Sequence, residues 1–176
     1  MNAGLLIVRL VLGLGLAAHG AQKLFGWFGG HGLEGTGGFF EKLGFRPGKA
    51  FALLAGLGEL SGGLLVALGL FGPVGPAIVV LVMIVAAVTV HLEGGFFAAS
   101  NGIELPLLYA IGAMAIAFAG PGAWSLDAGL GLEGLWSSSN AWIALGGAVL
   151  LAASNLAVRR PAQEAQAGHG EAIVAS

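Results

Sequence analysis

The sequence predicts an all-α protein: a transmembrane helix bundle with four core helices and a fifth C-terminal membrane segment. Three observations predict it. The chain is 57% hydrophobic and only 9% charged, against about 25% charged in a typical soluble domain. Its mean hydropathy is +0.91. The apolar residues gather in long runs at 3–21, 50–71, 73–92 and 103–120, with a shorter run at 141–158. A helix crosses a hydrocarbon core with about 20 apolar residues. One bundle over 1–158 uses nearly the whole length. The polar tail 159–176 is low in aromatic residues and is expected to be disordered.

The first run carries Gly4, Gly13 and Gly15, small residues that let membrane helices approach closely. Arg9 interrupts it and no basic stretch precedes it, so a retained helix is expected rather than a cleaved signal. The second run holds Gly56, Gly58, Gly62 and Gly63 around Glu59. Gly72-Pro73-Val74-Gly75-Pro76 then makes a tight turn into the third run. The fourth opens after Asn101-Gly102, tolerates Pro106 in its first turn, and stops at Gly120-Pro121-Gly122.

The link 22–48 exceeds the ~12–15 residues beyond which structureless loops are uncommon. It contains Phe25, Trp27, Phe28, Phe39, Phe40 and Phe45, residue types that favour the membrane interface. Two turns of helix are expected over Thr36–Leu43, with Phe39, Phe40 and Leu43 toward lipid. The link reads either as a cap on one membrane face or as a simple interfacial anchor. Trp124, Trp136 and Trp142 read as an interfacial belt, and Ser125 or Asp127 as the cap of a short helix.

Basic residues outside the runs fix the expected topology. Lys23, Lys42, Arg46 and Lys49 lie in the first link and Arg159-Arg160 follow the last run. Five crossings put all six on one side, which the positive-inside rule makes cytoplasmic. A multi-pass membrane protein is expected.

Alternation of the runs also sets the depth of the ionisable residues. His19, Gln22, Lys23, His91 and Glu104 converge on one face beneath the aromatic link. Glu59 lies roughly 15 Å deeper than the start of its run at 1.5 Å per residue. Charges inside hydrocarbon cost roughly 2.5–3.5 kcal/mol on insertion scales, so such residues are functional candidates by default. Imidazole and carboxylate side chains suit proton relays and the hydrogen bonding of a quinone head group. In that reading Glu59 and Glu104 accept protons, His19 and His91 donate to the quinone oxygens, and Arg9 is the charge partner of Glu59. Gln22, Lys23 and Arg9 complete the expected cofactor-binding set. The same residues also suit a structural role, as an Arg9–Glu59 pair and imidazoles bonded to carbonyls. His19, His91, Glu59 and Glu104 are of types that ligate metals, but no local spacing matches a metal motif, and none is assigned. The chain has no cysteine, which removes thiolate chemistry, and no basic stripe of the kind that binds nucleic acid.

Taken in order, the motifs resemble the DoxX family of small membrane proteins. The likeness rests on Arg9, on His19-Gly20-Ala21-Gln22-Lys23-Leu24-Phe25-Gly26, and on Gly35-Thr36-Gly37-Gly38-Phe39-Phe40 with Leu43-Gly44. It continues through Gly58-Glu59-Leu60-Ser61-Gly62-Gly63, His91 with Gly94-Gly95-Phe96-Phe97, Glu104, and Gly120-Pro121-Gly122 before Ser125-Leu126-Asp127. The resemblance implies a four-helix membrane bundle associated with redox chemistry, since family members look like the membrane subunit of thiosulfate:quinone oxidoreductases and others are linked to sulfur and oxidative stress. It points to Arg9, His19, Gln22, Lys23, Glu59, His91 and Glu104. The run 141–158 departs from the four-helix pattern. A quinone-linked subunit or partner in the lipid bilayer of the bacterial inner membrane, bound to another protein subunit or to its own copies, is therefore expected. The alternatives are a non-enzymatic scaffold subunit and a small transporter, the latter without the inverted repeat common among transporters.

Overall fold

A computed structural model describes residues 2–160; of the tail 159–176 expected to be disordered, Arg159 and Arg160 are held by backbone hydrogen bonds to Leu156 and Gly44, and 161–176 fall outside the described residues. Helix α1 (Asn2–Phe25) leads through a 3-10 turn (Trp27–Gly29) into α2 (Gly32–Lys42), α3 (Gly48–Leu68) and α4 (Val74–Ala86). A π turn (Ala87–His91) and a 3-10 turn (Leu92–Gly94) prolong α4. Then come α5 (Glu104–Ala119), the short α6 (Leu126–Gly129) and α7 (Ser138–Ala157). Four helices, Asn2–Phe25, Gly48–Leu68, Val74–Gly94 and Ser138–Ala157, are long and apolar enough to cross a membrane. Helix α5 has 16 residues, about 24 Å of rise, and completes an up-and-down bundle. The fold is all-α and membrane-embedded.

Small residues set how the bundle closes. Helices α1 and α3 run antiparallel and make the most extensive contact in the molecule. A Cβ on Gly13 would lie 2.5 Å from the Gly63 carbonyl, and one on Gly63 would lie 2.5 Å from the Gly13 carbonyl. Two turns away, a Cβ on Gly20 would meet Leu60 N at 2.5 Å and the Gly56 carbonyl at 2.7 Å. In a membrane the attraction between helices is packing rather than water exclusion, so backbone approach at these paired glycines holds the two helices in register. Helix α4 sits at the centre, against α3, α5 and α7. Its Val79, Val80 and Met83 form the core with Leu16 of α1, Ile116 of α5 and Leu145 of α7. The fifth segment is therefore an integral wall of the bundle, with Ala141, Leu145, Ala148 and Ala152 buried.

The two ends of the bundle differ. One carries α2, the π turn and the end of α7; this is called the cap end. At the other, α3 stops on Gly69, whose φ of +63° is the left-handed conformation glycine adopts without strain. Asp127, fully buried, accepts hydrogen bonds from Phe71 N (3.0 Å), Gly72 N (2.8 Å) and Trp136 Nε1 (2.7 Å). It thus staples the α3–α4 turn to the approach to α7. Ser125 caps α6 through Ala128 N at 3.1 Å. Of the expected tryptophan belt, Trp124 and Trp142 are exposed, but Trp136 is buried because its indole N–H serves Asp127.

Candidate functional site

A cavity of about 300 Å³ opens at the cap end. This is the lower end of the volume range of small-molecule sites. Its walls are largely apolar, built from residues such as Leu16, Leu54, Met83 and Leu105, with Phe39 and Phe40 from α2 on one side. His19, Lys23, Glu59, Thr89, His91, Tyr109 and Asn155 supply the polar side chains.

Lys23 and Glu59 form the centre of this set. The Lys23 ammonium lies 2.7 Å from Oε1 and 2.5 Å from Oε2 of Glu59. Glu59 is buried, and the Lys23 side chain is 28% exposed. Helix direction explains the meeting. Side chains tilt toward the N-terminus of their own helix. In the antiparallel α1–α3 pair, Lys23 therefore leans into the membrane and Glu59 leans out toward it. A buried charge is tolerated when paired, and this pair gives the hydrocarbon zone a neutral but strongly polar spot.

Both imidazoles are oriented by their neighbours. Gln22 donates from Nε2 to the Phe28 carbonyl at 3.1 Å, so its Oε1 accepts from His19 Nδ1 at 3.0 Å. His91 Nδ1 donates to the Asn101 carbonyl at 2.9 Å. In the neutral ring each His then presents Nε2 as an acceptor. His91 belongs to the π turn Ala87–His91, and π turns inside α-helices recur at functional sites. This turn brings Thr89, Val90 and His91 together into the cavity wall. Tyr109 of α5 approaches His19 edge-on, with ring centroids 6.5 Å apart. Its hydroxyl lies where a Cβ on Gly15 would be, at 2.7 Å, so Gly15 makes room for the phenol.

Three expected site residues lie elsewhere. Arg9 does not pair with Glu59. It is buried at the far end of α1, donating to the carbonyls of Pro121, Trp124 (2.7 Å) and Ala67 (3.3 Å). The Ala67 carbonyl belongs to the last turn of α3, where a cation is favoured by the helix dipole. Its Nε has no partner among the described residues. Glu104 does not line the cavity. It accepts from Ala98 N at 2.8 Å and ties down the loop before α5. Gln22 acts through His19. Among the described residues no three His, Asp or Glu side chains are grouped to hold a metal ion.

The DoxX family profile matches residues 4–92, half of the chain. The chain belongs to the DoxX family. The matched part of this DoxX protein spans α1 through the π turn and so contains the Lys23–Glu59 pair, His19 and His91; Tyr109 lies beyond it. A curated relative, an uncharacterized membrane protein of Mycobacterium tuberculosis, is 29% identical over 130 residues, covering 68% of this chain and 77% of its own length. No solved structure matches.

The sequence reading missed Tyr109 and Thr89. Tyr109 carried a usable signal, since it is the single tyrosine of the chain and lies within an apolar run.

Proposed function

We propose that this DoxX protein takes part in quinone-linked redox chemistry of the bacterial inner membrane, as a subunit or partner that holds the quinone at the Lys23–Glu59 end of the cavity. The observation that carries this reading is a paired ammonium and carboxylate in the wall of an otherwise apolar chamber. A quinone has the matching design, a ring with two oxygens on a long apolar tail. The residues fit it: apolar walls for the tail, and the Lys23 amine and Tyr109 hydroxyl as donors for a ring oxygen.

When bound, a quinone supplies electron and proton acceptance. The chain's own residues bind and manage protons. Lys23 donates a hydrogen bond to the ring oxygen and is held in place by Glu59. With Nδ1 of each committed, His19 and His91 present Nε2 as proton acceptors, the reverse of the donor role expected from sequence. In this reading the electrons come from sulfur or oxidative-stress chemistry brought by a partner, a choice supported by the resemblance to thiosulfate:quinone oxidoreductase subunits. The basic cap end faces the cytoplasm by the positive-inside rule.

Titration of the purified full chain with a quinone analogue tests this. Saturable binding is expected, weakened about tenfold or more in Lys23→Met, since a lost hydrogen bond to a charged group costs roughly 1.5–3 kcal/mol. No binding, or equal binding in Lys23→Met and His19→Ala, overturns it. Full function of an isolated complex containing Lys23→Met/Glu59→Leu would favour the scaffold reading instead.

A further inference from the structure

We propose that the corner where α2 meets the end of α7 is a binding site for an anionic phospholipid. Lys42, Arg46, Arg159 and Arg160 would hold its phosphate, and one acyl chain would lie along the Phe39–Leu54 wall of the cavity. The four cations play no part in the quinone reading and the site does not need that reading, although the acyl chain shares the Phe39–Leu54 wall of the same cavity.

Of the seven Lys and Arg side chains, three are already engaged. Arg9 is buried on carbonyls, Lys23 pairs with Glu59, and Lys49 pairs with Glu34 at 2.6 Å. The other four, Lys42, Arg46, Arg159 and Arg160, have no carboxylate within salt-bridge distance among the described residues. Lys42 and Arg46 flank the Leu43–Gly44 backbone, to which Arg159 and Arg160 return from more than a hundred residues away in sequence. Arg159 Nε donates to the Leu43 carbonyl at 2.6 Å, and Arg160 N donates to the Gly44 carbonyl at 2.9 Å. The nearby carboxylate, Glu41, accepts from the Gly48 N–H at 3.3 Å. Four cations in one place repel one another unless an anion joins them.

The membrane supplies the anion. Clusters of basic residues at the membrane surface attract anionic lipids by about 1 kcal/mol per residue. The apolar half of a lipid also has a place. One helical turn before the cations along each helix, Phe39 and Phe40 of α2 and Asn155 of α7 line the cavity, as do Phe51 and Leu54 of α3. Phe39 and Leu54 are 45% and 61% exposed, so this wall is open to a chain descending from the corner. Cations above a lipid-exposed aromatic wall match a diacyl phosphate, where a soluble anion would use the cations alone.

Native mass spectrometry of the full chain from mild detergent tests this with phosphatidylglycerol and phosphatidylcholine of identical acyl chains. One phosphatidylglycerol is expected to be retained at least tenfold more strongly. Lys42→Gln/Arg46→Gln/Arg160→Gln removes three cations whose side chains make no hydrogen bond or ion pair among the described residues, and should lose about fivefold per cation. Lys49→Gln should change retention less than twofold. A Phe39→Trp variant, replacing an exposed ring, should be quenched by phosphatidylglycerol brominated on its acyl chains. Equal retention of the two lipids, or an equal loss in Lys49→Gln, overturns the site. So does displacement of the lipid by millimolar inorganic phosphate, or absence of quenching at Phe39→Trp.

Discussion

Arg9 and Lys23 lie on the same helix about four turns apart and serve opposite ends of the bundle. Arg9 closes three backbone carbonyls beside the end of α3, while Lys23 neutralises Glu59 in the cavity wall. The two cations have different work, and their substitution should separate cleanly.

Arg9→Lys keeps the charge but loses the planar fork that reaches several carbonyls at once. It should destabilise the protein by roughly 1–3 kcal/mol, the cost of stranding buried polar groups. Quinone-analogue affinity should stay within twofold of wild type. Thermal unfolding in detergent and the binding titration together check this, and a large affinity loss would contradict the assignment.

Lys23→Met strands the Glu59 carboxylate. Breaking a buried pair costs roughly 3–5 kcal/mol, reduced here because Lys23 is partly exposed. The double variant Lys23→Met/Glu59→Leu removes both charges and should be more stable than the single one. A double-mutant cycle on unfolding midpoints measures the coupling, and a double variant less stable than Lys23→Met would refute it.

Asp127→Ala leaves the Phe71 and Gly72 amides and the Trp136 indole without their acceptor. At roughly 1–3 kcal/mol per orphaned donor, it should be among the most damaging single changes. The Trp136 emission should shift to longer wavelength as the indole meets water. A variant with wild-type emission and midpoint would show that the staple is dispensable.

Gly13→Val should force α1 off α3, since its Cβ would lie 2.5 Å from the Gly63 carbonyl. Gly146→Ala meets nothing within 4 Å and should be neutral or stabilise by up to about 1 kcal/mol through helix propensity. Comparing their expression and melting in one detergent tests the paired-glycine register. Similar behaviour of the two would count against it.

Much of the architecture was readable from the apolar runs, because hydrocarbon thickness converts directly into helix length. The placement of basic residues was readable too: Arg159 and Arg160 do return to the α2 end, against Leu43 and Gly44. What alternation of the runs does not give is register. Depth made Arg9 a plausible partner for Glu59, but the matched seven-residue spacings, Gly13 to Gly20 and Gly56 to Gly63, align Arg9 with Ala67 and leave Glu59 to Lys23. Glu104 looked like a site residue because it opens a helix at the right face. Its carboxylate instead closes a backbone loop, a local bond that composition does not reveal. Asp127 showed only as a possible cap, since two of its three donors, the Phe71 and Gly72 amides, lie more than fifty residues away in sequence.

The Asp127 staple has a mechanical consequence. It joins the α3–α4 and α5–α7 connections at one carboxylate, and Arg9 ties α1 to the end of α3 and to the α5–α7 connection beside it, so that end works as the spring of a clothes peg. The jaws are at the π turn and α2, where the cavity opens, and any parting of the helices is expected there. Hydrogen exchange should accordingly be slowest at Phe71 and Gly72 and quickest around 87–91; the opposite ranking would mean that the molecule pivots elsewhere.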